Sequence, residues 1–489
     1  MDNRDSNQPS TAFSRTAWLA AQVRDRQGLA RLLGQHVSPE LLALWLVEVM
    51  LFAALFHALL SSGLSLGPVD VAAAPVPPLR AVNQAIALAL TFGLTSAAVG
   101  LYSPDTYLRT RGLLVNTAVG VLLASPAIWL VGRAVGLDVT GLSEGHPALA
   151  FKALLGWTLV LFAIRMAFSY AMRANLFVRR VLIVGDDAGA TRIASAIRSV
   201  RGFFQVVSVL PADDIAALAP RQLRQNRVWA VIVTAQACDT LAARQILRAR
   251  EQGVRLYSDT DFWERQLRRI DVDQPGPQWR PAAAPGGAGS NASSRRAAVI
   301  HRVGDIVLSL TLLAATLPLM LLTALVIACE SRGPVLYRQE RVGLHGRPFT
   351  LLKFRSMRQD AEARGPVWAM QGDPRVTRVG AFIRLVRIDE LPQLFNVLRG
   401  EMSFIGPRPE RPHFVAQLEQ VLPFYRDRLL AKPGLTGWAQ VNYPYGASVE
   451  DARAKLSYDL YYVKHRSLLL DLLILLSTVR VVLFQRGAR

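Results

Sequence analysis

The sequence predicts a membrane protein in three parts: an α-helical bundle in the bilayer, a Rossmann-like α/β domain, and an α-rich monotopic domain with a re-entrant membrane helix. Hydrophobic residues make up 51% of the 489 residues and the mean hydropathy is +0.25, which indicates membrane segments rather than one large soluble core. A strand–helix alternation in mid-chain and a Pro/Gly-rich linker after it separate the other two parts.

Four apolar stretches lie in the first third of the chain. They cover roughly 41–62, 83–102, 113–136 and 149–171, and each approaches the ~20 residues that a helix needs to cross a bilayer. Arginines precede the first stretch, separate the second from the third and follow the fourth, so the positive-inside rule predicts that both ends of the bundle are cytoplasmic. A soluble helical bundle is the alternative.

A fifth apolar stretch, 308–328, contains no charged residue, yet arginines flank both of its ends. Both ends therefore look cytoplasmic, which a single crossing cannot satisfy. Pro318 lies near its middle, where it removes a backbone donor and kinks or breaks a helix. We predict a helix–break–helix that enters and leaves the bilayer on one face. A Pro-kinked spanning helix is the alternative, and it would place the rest of the chain outside the cell.

The middle of the chain alternates between β-branched runs and helix-forming segments. The runs "RRVLIV", "VWAVIVT" (228–234) and "GVRLYS" (253–258) predict parallel strands of a Rossmann-like layer. The loop from Gly185 to Ala190 lacks the G-x-G-x-x-G spacing and carries two carboxylates where a pyrophosphate would lie. This favours a structural or regulatory role over dinucleotide binding.

The domain boundaries follow these changes in composition, and the clearest is the Pro/Gly/Ala/Ser linker. The predicted parts are a polar basic N-terminus at 1–40, a four-helix transmembrane bundle at 41–172, a degenerate Rossmann-like domain at 178–272, a linker at 273–298, and a domain with the re-entrant helix at 299–489.

The last of these parts carries the residues suited to chemistry. Asp389 and Glu390 are adjacent in "RIDELPQLFN", within a region rich in cations. A carboxylate pair binds a hard divalent cation such as Mg²⁺, which usually takes one or two carboxylates together with substrate phosphates. Surrounding cations suit a diphosphate whose charge grows on the leaving oxygen, and a carboxylate can itself be the nucleophile. The cations nearest in the sequence motifs are Lys353, Arg355, Arg384 and Arg408.

A purely structural interpretation of the pair is also open. Asp389 could be a helix N-cap, with Glu390 favouring the helix dipole and Pro392 in the first turn. The two interpretations are compatible, because a helix start is also a good place to present a carboxylate.

The tail 456–484 is amphipathic and suits a helix that lies on a membrane face.

The order of four motifs narrows the choice. "KFRSM", "DELPQL…N", "MSFIGPRP" and "PGLTGWAQVN" follow the Pro-containing apolar segment, and together they resemble the bacterial sugar transferase family, the polyprenyl-phosphate phosphohexose transferases. The resemblance extends from about residue 300 to the C-terminus, and the four spans and α/β layer are similar to long-form members of the exopolysaccharide type. Family members often have Ser before the helix-breaking proline, where this chain has Leu317.

The resemblance implies an enzyme with a two-step reaction. Asp389 would attack the β-phosphate of a UDP-sugar and release UMP, and undecaprenyl phosphate would then accept the phosphosugar. Glu390 and Mg²⁺ would assist by coordination, and Lys353, Arg384 and Arg408 would hold phosphates. The resemblance also implies a homodimer in the bacterial inner membrane, with the catalytic domain in contact with lipid on the cytoplasmic face.

Two other classes of protein remain as alternatives. One is a membrane-anchored nucleotide-sensing or assembly scaffold with an inactive catalytic block. The other is a nucleic-acid-binding membrane protein, suggested only by the net charge of +20. The basic residues are scattered beside membrane segments without a base-reading motif, so we expect no nucleic acid partner. A Rossmann-type oxidoreductase is disfavoured by the incomplete glycine loop.

Overall fold

The structure is a computed structural model, and we describe it over part of the chain. These are residues 38–61, 78–107, 110–137, 147–185, 187–199, 203–211, 220–240, 254–274, 292–358, 373–444, 446 and 448–484. By internal contacts the chain forms two units, one containing residues 171–267 and the other containing 40–170 and 268–484. Most of the predicted N-terminal segment and linker lies outside the described residues.

The predicted spans are all helical. They form α1 (Pro39–Ser61), α2 (Pro78–Ala98), α4 (Thr110–Ala134) and α5 (Pro147–Arg173), with a short α3 (Pro104–Tyr107) between the second and third spans. Among the described residues, these four and one long helix nearer the C-terminus are apolar and long enough to cross a membrane. Continuous apolar sequence is sufficient to predict such helices, because backbone polar groups in lipid must be satisfied within the segment.

Aromatic stacking and a buried ion pair join the helices of the bundle. The rings of Phe52 and Phe92 stack at 4.8 Å, and the Trp157 ring meets Phe52 edge-on at 5.1 Å. Glu48 on α1 and Arg165 on α5 form an ion pair of 2.7 Å, with Glu48 fully buried and Arg165 1% exposed. A charge so deeply buried needs a partner, so this pair ties α1 to α5.

The unit that contains residues 171–267 is built on a four-stranded parallel sheet. Its strands are β1 (Arg179–Val184), β2 (Phe204–Leu210), β3 (Val228–Val233) and β4 (Arg255–Ser258), in the order β2-β1-β3-β4. Its helices are α6 (Ala188–Ser199), α7 (Pro220–Gln225), α8 (Ala235–Thr240) and α9 (Asp259–Phe262), the last continuing into a π-helical turn at Trp263–Leu267. Three of these strands are predicted from the sequence, and β2 is the one that the prediction missed.

The C-terminal region begins with a long helix and continues with small sheets and short helices. Its elements are α10 (Ala292–Glu330), β5 (Leu336–Val342), β6 (Pro348–Phe354), α11 (Arg378–Leu385), α12 (Gln393–Arg399), β7 (Ser403–Ile405), α13 (Pro412–Val421), β8 (Gly434–Thr436), α14 (Trp438–Asn442), α15 (Val449–His465) and α16 (Leu468–Phe484). Turns of 3-10 helix lie at Leu344–Gly346, Ile388–Glu390 and Tyr425–Leu430. The tail therefore forms two helices where one was predicted.

The predicted break at Pro318 is absent from the structure. α10 runs through Pro318 without interruption for 39 residues. A proline inside a helix removes one backbone hydrogen bond, and the bonds of the neighbouring turns are enough to keep this long helix continuous. The Thr316 hydroxyl, two residues earlier, donates to the carbonyl of Leu312 at 2.7 Å, a bond that uses a helix carbonyl without ending the helix.

Two small sheets and a shared core organise the rest of this region. β5 and β6 form an antiparallel hairpin, and β7 pairs in parallel with β8. The segment just after the α/β unit joins this core: Ile270 and Val272 are buried in it, and the Ile270 N–H donates to Ser457 O at 3.0 Å. The predicted α/β domain extends to 272, whereas the chain passes to the other unit after Leu267.

The buried ion pair of the bundle gives a stability prediction. Arg165→Met leaves Glu48 charged and unpaired among apolar helices, which we expect to cost about 3–5 kcal/mol in the free energy of unfolding. Thermal unfolding in detergent measures the loss. The double variant Glu48→Gln/Arg165→Met should recover most of it because no buried charge remains, and a double variant as unstable as the single one would contradict this role.

Candidate active site

The predicted carboxylate pair lies in the 3-10 turn Ile388–Glu390, ahead of α12. Arg387, immediately before it, has a left-handed backbone with φ of 62°, which is strained for a residue with a side chain. Asp389 is 7% exposed and Glu390 9%. The N-cap of α12 is Pro392, and no side chain caps that helix. The interpretation of Asp389 as a helix N-cap is therefore wrong.

Glu390 lies among three cations. Its Oε1 is 2.8 Å from Nη2 of Arg408, 3.1 Å from Nζ of Lys353 and 3.6 Å from Nη1 of Arg387. Burial by itself would raise the pKa of Glu390, but the positive charges of Arg408, Lys353 and Arg387 outweigh it and hold this pKa well below the ordinary value. Glu390 is thus an ionised, buried carboxylate that forms ion pairs with all three cations.

Asp389 has a different environment from its neighbour. Burial raises its pKa above the ordinary value, the charge of Lys353 opposes that shift, and the charge of Glu390 adds to it. Among the described residues, no group donates a hydrogen bond to the Asp389 carboxyl. Two adjacent carboxylates with pKa values moved in opposite directions indicate two different roles. Of the two carboxylates, Asp389 is the one whose oxygens accept from no donor within the described ranges.

Lys353 lies beside the pair because hydrogen bonds join α12 to β6, the strand that contains Lys353. Asn396, on α12, is fully buried. Its Oδ1 accepts from the N–H of Leu352 at 3.0 Å, and its Nδ2 donates to the carbonyl of Thr350 at 2.7 Å. Both partners lie on β6, next to Lys353. The asparagine of the motif therefore links α12, which follows the carboxylate pair, to the strand that carries Lys353.

Arg408 is positioned by two glycine-containing loops that pack backbone against backbone. The Gly406 N–H donates to Thr436 O at 2.8 Å, and the Gly434 N–H donates to Pro407 O at 2.9 Å. A Cβ atom on either glycine would collide with backbone of the opposite loop, so only glycine permits this approach. The motifs "GPRP" and "PGLTG" therefore form one structure, which projects Arg408 towards Glu390.

The buried ion pair between Arg428 and Asp459 contacts the backbone of Arg408. Nη2 of Arg428 donates to the backbone carbonyl of Arg408 at 2.8 Å and to Oδ2 of Asp459 at the same distance. Arg428 and Asp459 are 5% and 2% exposed. The other terminal nitrogen of the Arg408 guanidinium, Nη1, donates to Oε1 of Gln440 at 2.9 Å. One guanidinium thus contacts both the carboxylate pair and α14.

The long apolar helix α10 forms hydrogen bonds at two points of the segment that follows the pair. Arg302 on α10 donates to two carbonyls at the C-terminal end of α12, each at 2.6 Å, which also suits the negative end of the helix dipole. One turn later, Oδ1 of Asp305 accepts from the Ser403 hydroxyl at 3.0 Å and from the Phe404 N–H at 2.8 Å. α10 is therefore hydrogen-bonded to the segment that follows the carboxylate pair.

The other predicted site residues lie in different places. Arg384, in the last turn of α11, is near enough for its charge to lower the pKa of Asp389. Arg355 instead donates to the carbonyls of Arg332 and Ser331 at 2.9 and 2.7 Å, just beyond the end of α10. Its hydrogen bonds stabilise that helix end and do not join the carboxylate pair. Pro318 lies inside α10.

Several residues of the site were missed by the sequence prediction. They are Arg302, Asp305, Arg387, Asn396, Arg428, Gln440 and Asp459. The available signal was a polar residue within an otherwise apolar run, as at Asp305 and Asp459. Such residues are rarely buried without a partner, but the sequence does not identify the partner.

The donor set can be compared with what a metal ion needs. Within the described residues, no group of three or more His, Cys, Asp or Glu side chains forms a metal-binding cluster. Mg²⁺ does not require one, because one or two carboxylates together with substrate phosphates suffice. The Asp389 carboxyl fits this use, since no group in the part of the chain that the structure describes hydrogen-bonds it. Oε1 of Glu390 is already shared by three cations.

Comparison with known proteins gives consistent relatives. The chain is 50% identical over 192 residues to the UDP-N-acetylgalactosamine-undecaprenyl-phosphate N-acetylgalactosaminephosphotransferase of Aeromonas hydrophila, covering 39% of this chain and 45% of the relative. It is 33% identical over 353 residues to the undecaprenyl-phosphate glucose phosphotransferase of Komagataeibacter xylinus, covering 67% of this chain and 64% of the relative. These matches thus span less than two thirds of either relative.

A shorter relative is covered more fully. The chain is 47% identical over 180 residues to the UDP-glucose:undecaprenyl-phosphate glucose-1-phosphate transferase of Caulobacter vibrioides, covering 36% of this chain and 67% of the relative. The family model described as "Bacterial sugar transferase" matches residues 296–485, which include α10, the carboxylate pair and both glycine loops. The chain belongs to the bacterial sugar transferase family.

Proposed function

We propose that this protein transfers a hexose 1-phosphate from a UDP-sugar to undecaprenyl phosphate, as the first membrane step of exopolysaccharide, capsule or O-antigen synthesis. The observation that carries the proposal is the pair Asp389–Glu390, in which one carboxylate is fixed by three cations and the other accepts no hydrogen bond among the described residues. The relatives' names describe the same class of transfer, with glucose or N-acetylgalactosamine as the sugar.

Asp389 is the proposed nucleophile. One of its carboxylate oxygens attacks the β-phosphorus of the UDP-sugar, the bond from that phosphorus to the bridging oxygen breaks, and the electron pair leaves with UMP. A phosphate oxygen of undecaprenyl phosphate then attacks the same phosphorus, and the Asp389 carboxylate is released. The product is undecaprenyl diphosphate carrying the hexose.

The cations of the site have a separate task in this proposal. Arg408, Lys353 and Arg387 already surround Glu390, so they form a fixed positive environment that stabilises charge on a transferring diphosphate without reorganising. Arg384 adds positive charge near Asp389. When Mg²⁺ is bound, it would neutralise phosphate charge, with Asp389 as the fitting protein ligand and Glu390 acting through its ion pairs.

We further propose that the protein lies in the bacterial inner membrane with its catalytic region on the cytoplasmic face, as a homodimer. Arginines flank α10 at both ends, which supports a path that enters and leaves on one face. α10 is continuous, so such a path would require a bend within one helix rather than two separate helices. The molecular mass of the detergent-purified protein measures the dimer.

For the α/β unit we propose a Rossmann-like layer without dinucleotide binding. The strand order β2-β1-β3-β4 is that of doubly wound nucleotide-binding sheets. However, Oδ1 of Asp187 accepts from the N–H of Ala190 at 2.7 Å at the start of α6, using a donor that a phosphate would need. Calorimetric binding of NAD to the full chain would contradict this.

The scaffold alternative is not favoured. A scaffold has no use for an intact carboxylate pair surrounded by three cations, and the named relatives are transferases. Loss of Asp389 without loss of polysaccharide in cells would restore it.

The nucleophile assignment gives the first functional prediction. Asp389→Asn preserves volume and removes the attacking charge, so we expect UMP release from a UDP-sugar to fall to background with the thermal unfolding midpoint unchanged. The assay contains purified protein, Mg²⁺, undecaprenyl phosphate and a panel of UDP-sugars. Chelation with EDTA should stop release by the unaltered protein, and added Mg²⁺ should restore it. Full turnover by Asp389→Asn would refute the assignment.

The membrane path gives a second prediction. Single cysteines introduced near residues 300 and 335, after replacement of the native Cys238 and Cys329, should both react with a membrane-impermeant reagent from the cytoplasmic side. Inside-out and right-side-out vesicles provide the matched comparison. Labelling from opposite sides would show instead that α10 crosses the bilayer.

The link between α10 and β7 gives a third prediction. Asp305→Ala leaves the buried Phe404 N–H without its acceptor, which we expect to cost about 1–3 kcal/mol in the free energy of unfolding. Because the same contact holds the segment after the carboxylate pair, kcat should fall more than KM for the UDP-sugar rises. Glu419→Ala is the control, since Glu419 lies on the surface in a 3.7 Å pair with the exposed Arg426. Equal effects in both variants would argue against the link.

A further inference from the structure

A cavity of about 110 Å³ lies beside Arg408, separate from the carboxylate pair itself. It opens among α13, the 3-10 turn Tyr425–Leu430, α14 and α15, and Arg387 and Arg408 form its wall nearest the pair. Its volume exceeds several-fold the ~10–15 Å³ that one water molecule needs. None of the described residues of α10 is among its lining residues.

The charge of the cavity suits an anion. Arg387, Arg408 and Lys455 line it. Its two carboxylates are each already paired with an arginine: Asp459 with Arg428 at 2.8 Å, and Glu410 with Arg341 at 3.6 Å. The lining therefore contains more cations than carboxylates, which favours a negatively charged ligand.

The remaining walls suit a planar ring. Phe414, Tyr425 and Tyr443 line it with aromatic side chains, and the small residues Ala439 and Ala452 are also part of its wall. Aromatic walls with a few polar groups are the usual surroundings of a heterocyclic base. The amide of Gln440 also lines the cavity.

Arg408 connects this cavity to the reacting centre. The same guanidinium donates to Oε1 of Glu390 at 2.8 Å and to Oε1 of Gln440 at 2.9 Å. A ligand with a phosphate beside Arg408 would therefore extend in one direction towards Asp389 and in the other into the cavity.

We propose that the cavity binds the nucleoside 5′-monophosphate half of the donor, which is the leaving group of the transfer. This rests on the proposed function, because it assigns the two halves of a nucleoside diphosphate sugar to two sides of Arg408. As the phosphorus–oxygen bond breaks, the electron pair and its negative charge pass to the leaving phosphate, next to Arg408 and Arg387. Cations at that position favour departure. The lipid acceptor, whose chain stays in the bilayer, approaches from the side of α10.

The test fills the cavity and measures binding of UMP alone. Ala452→Leu places a larger side chain against the proposed base site, so we expect UMP affinity to fall about tenfold or more, which is about 1.4 kcal/mol or more in binding free energy. Ala454→Leu is the matched control, because it makes the same change on the same helix at a position that does not line the cavity. Titration calorimetry on the full chain in detergent gives the affinities, and thermal unfolding checks each variant.

Kinetics separate the two halves of the reaction. Ala452→Leu should raise KM for the UDP-sugar and leave KM for undecaprenyl phosphate unchanged. If Ala452→Leu does not fold, Tyr443→Ala removes an aromatic wall instead, and it should weaken UMP binding by a similar factor. UMP affinity that matches the unaltered protein in every folded cavity variant would overturn the proposal.

The outcomes also distinguish this inference from the function on which it rests. Normal transfer with unaltered UMP affinity in Ala452→Leu would refute the cavity assignment and leave the transferase intact. UMP binding that is lost in Ala452→Leu, in a protein that transfers no sugar phosphate, would support the cavity and refute the transferase.

Discussion

The ion pairs around Glu390 are the constraint on which the rest of the site depends. A carboxylate that is 9% exposed remains charged only with compensating partners, and here Arg408, Lys353 and Arg387 provide them. Each cation comes from a different part of the chain, so the fold must bring a hairpin strand, a strained turn and a glycine loop to one oxygen atom. The close backbone packing of β7 against β8, the Arg428–Asp459 pair and the Asn396 bonds all serve that placement.

This arrangement separates the tasks of two adjacent carboxylates. Glu390 is occupied by cations, while the Asp389 carboxyl accepts no hydrogen bond among the residues that the structure describes. Burial raises the pKa of Asp389, which indicates a less solvated and therefore more nucleophilic carboxylate when it is ionised. The bonds from Arg302 and Asp305 tie the same segment to α10. The segment after the carboxylate pair is thereby held at a fixed position relative to this apolar helix.

How much of this could be predicted depends on the range of the interaction. The spans and three of the four parallel strands follow from local hydrophobic pattern, and the carboxylate pair follows from its motif. Lys353 contacts Glu390 because β6 carries it there, and its role in holding phosphate stays a prediction. Arg355 was expected beside it, yet β6 ends at Phe354, and beyond a strand end the alternation of side chains no longer determines direction.

Other features depend on contacts far apart in the sequence. Arg428 and Asp459 are 31 residues apart, and Asp305 and Phe404 are 99, so no local pattern pairs them. At Pro318 the general rule that proline breaks helices fails, because the turns on either side of a 39-residue helix keep their own hydrogen bonds. The N-cap interpretation of Asp389 fails because Asp389 lies inside a 3-10 turn and Pro392 is the N-cap of the helix that follows.

The central claim is that Asp389 carries the sugar phosphate between donor and acceptor. Mass spectrometry of the protein, quenched in acid after brief mixing with a UDP-sugar and Mg²⁺ without undecaprenyl phosphate, tests it most directly. The account predicts one hexose phosphate on the peptide that contains Asp389, lost when undecaprenyl phosphate is added before quenching. Transfer to the lipid by an active protein that never carries this adduct, or carries it at another residue, would contradict the account.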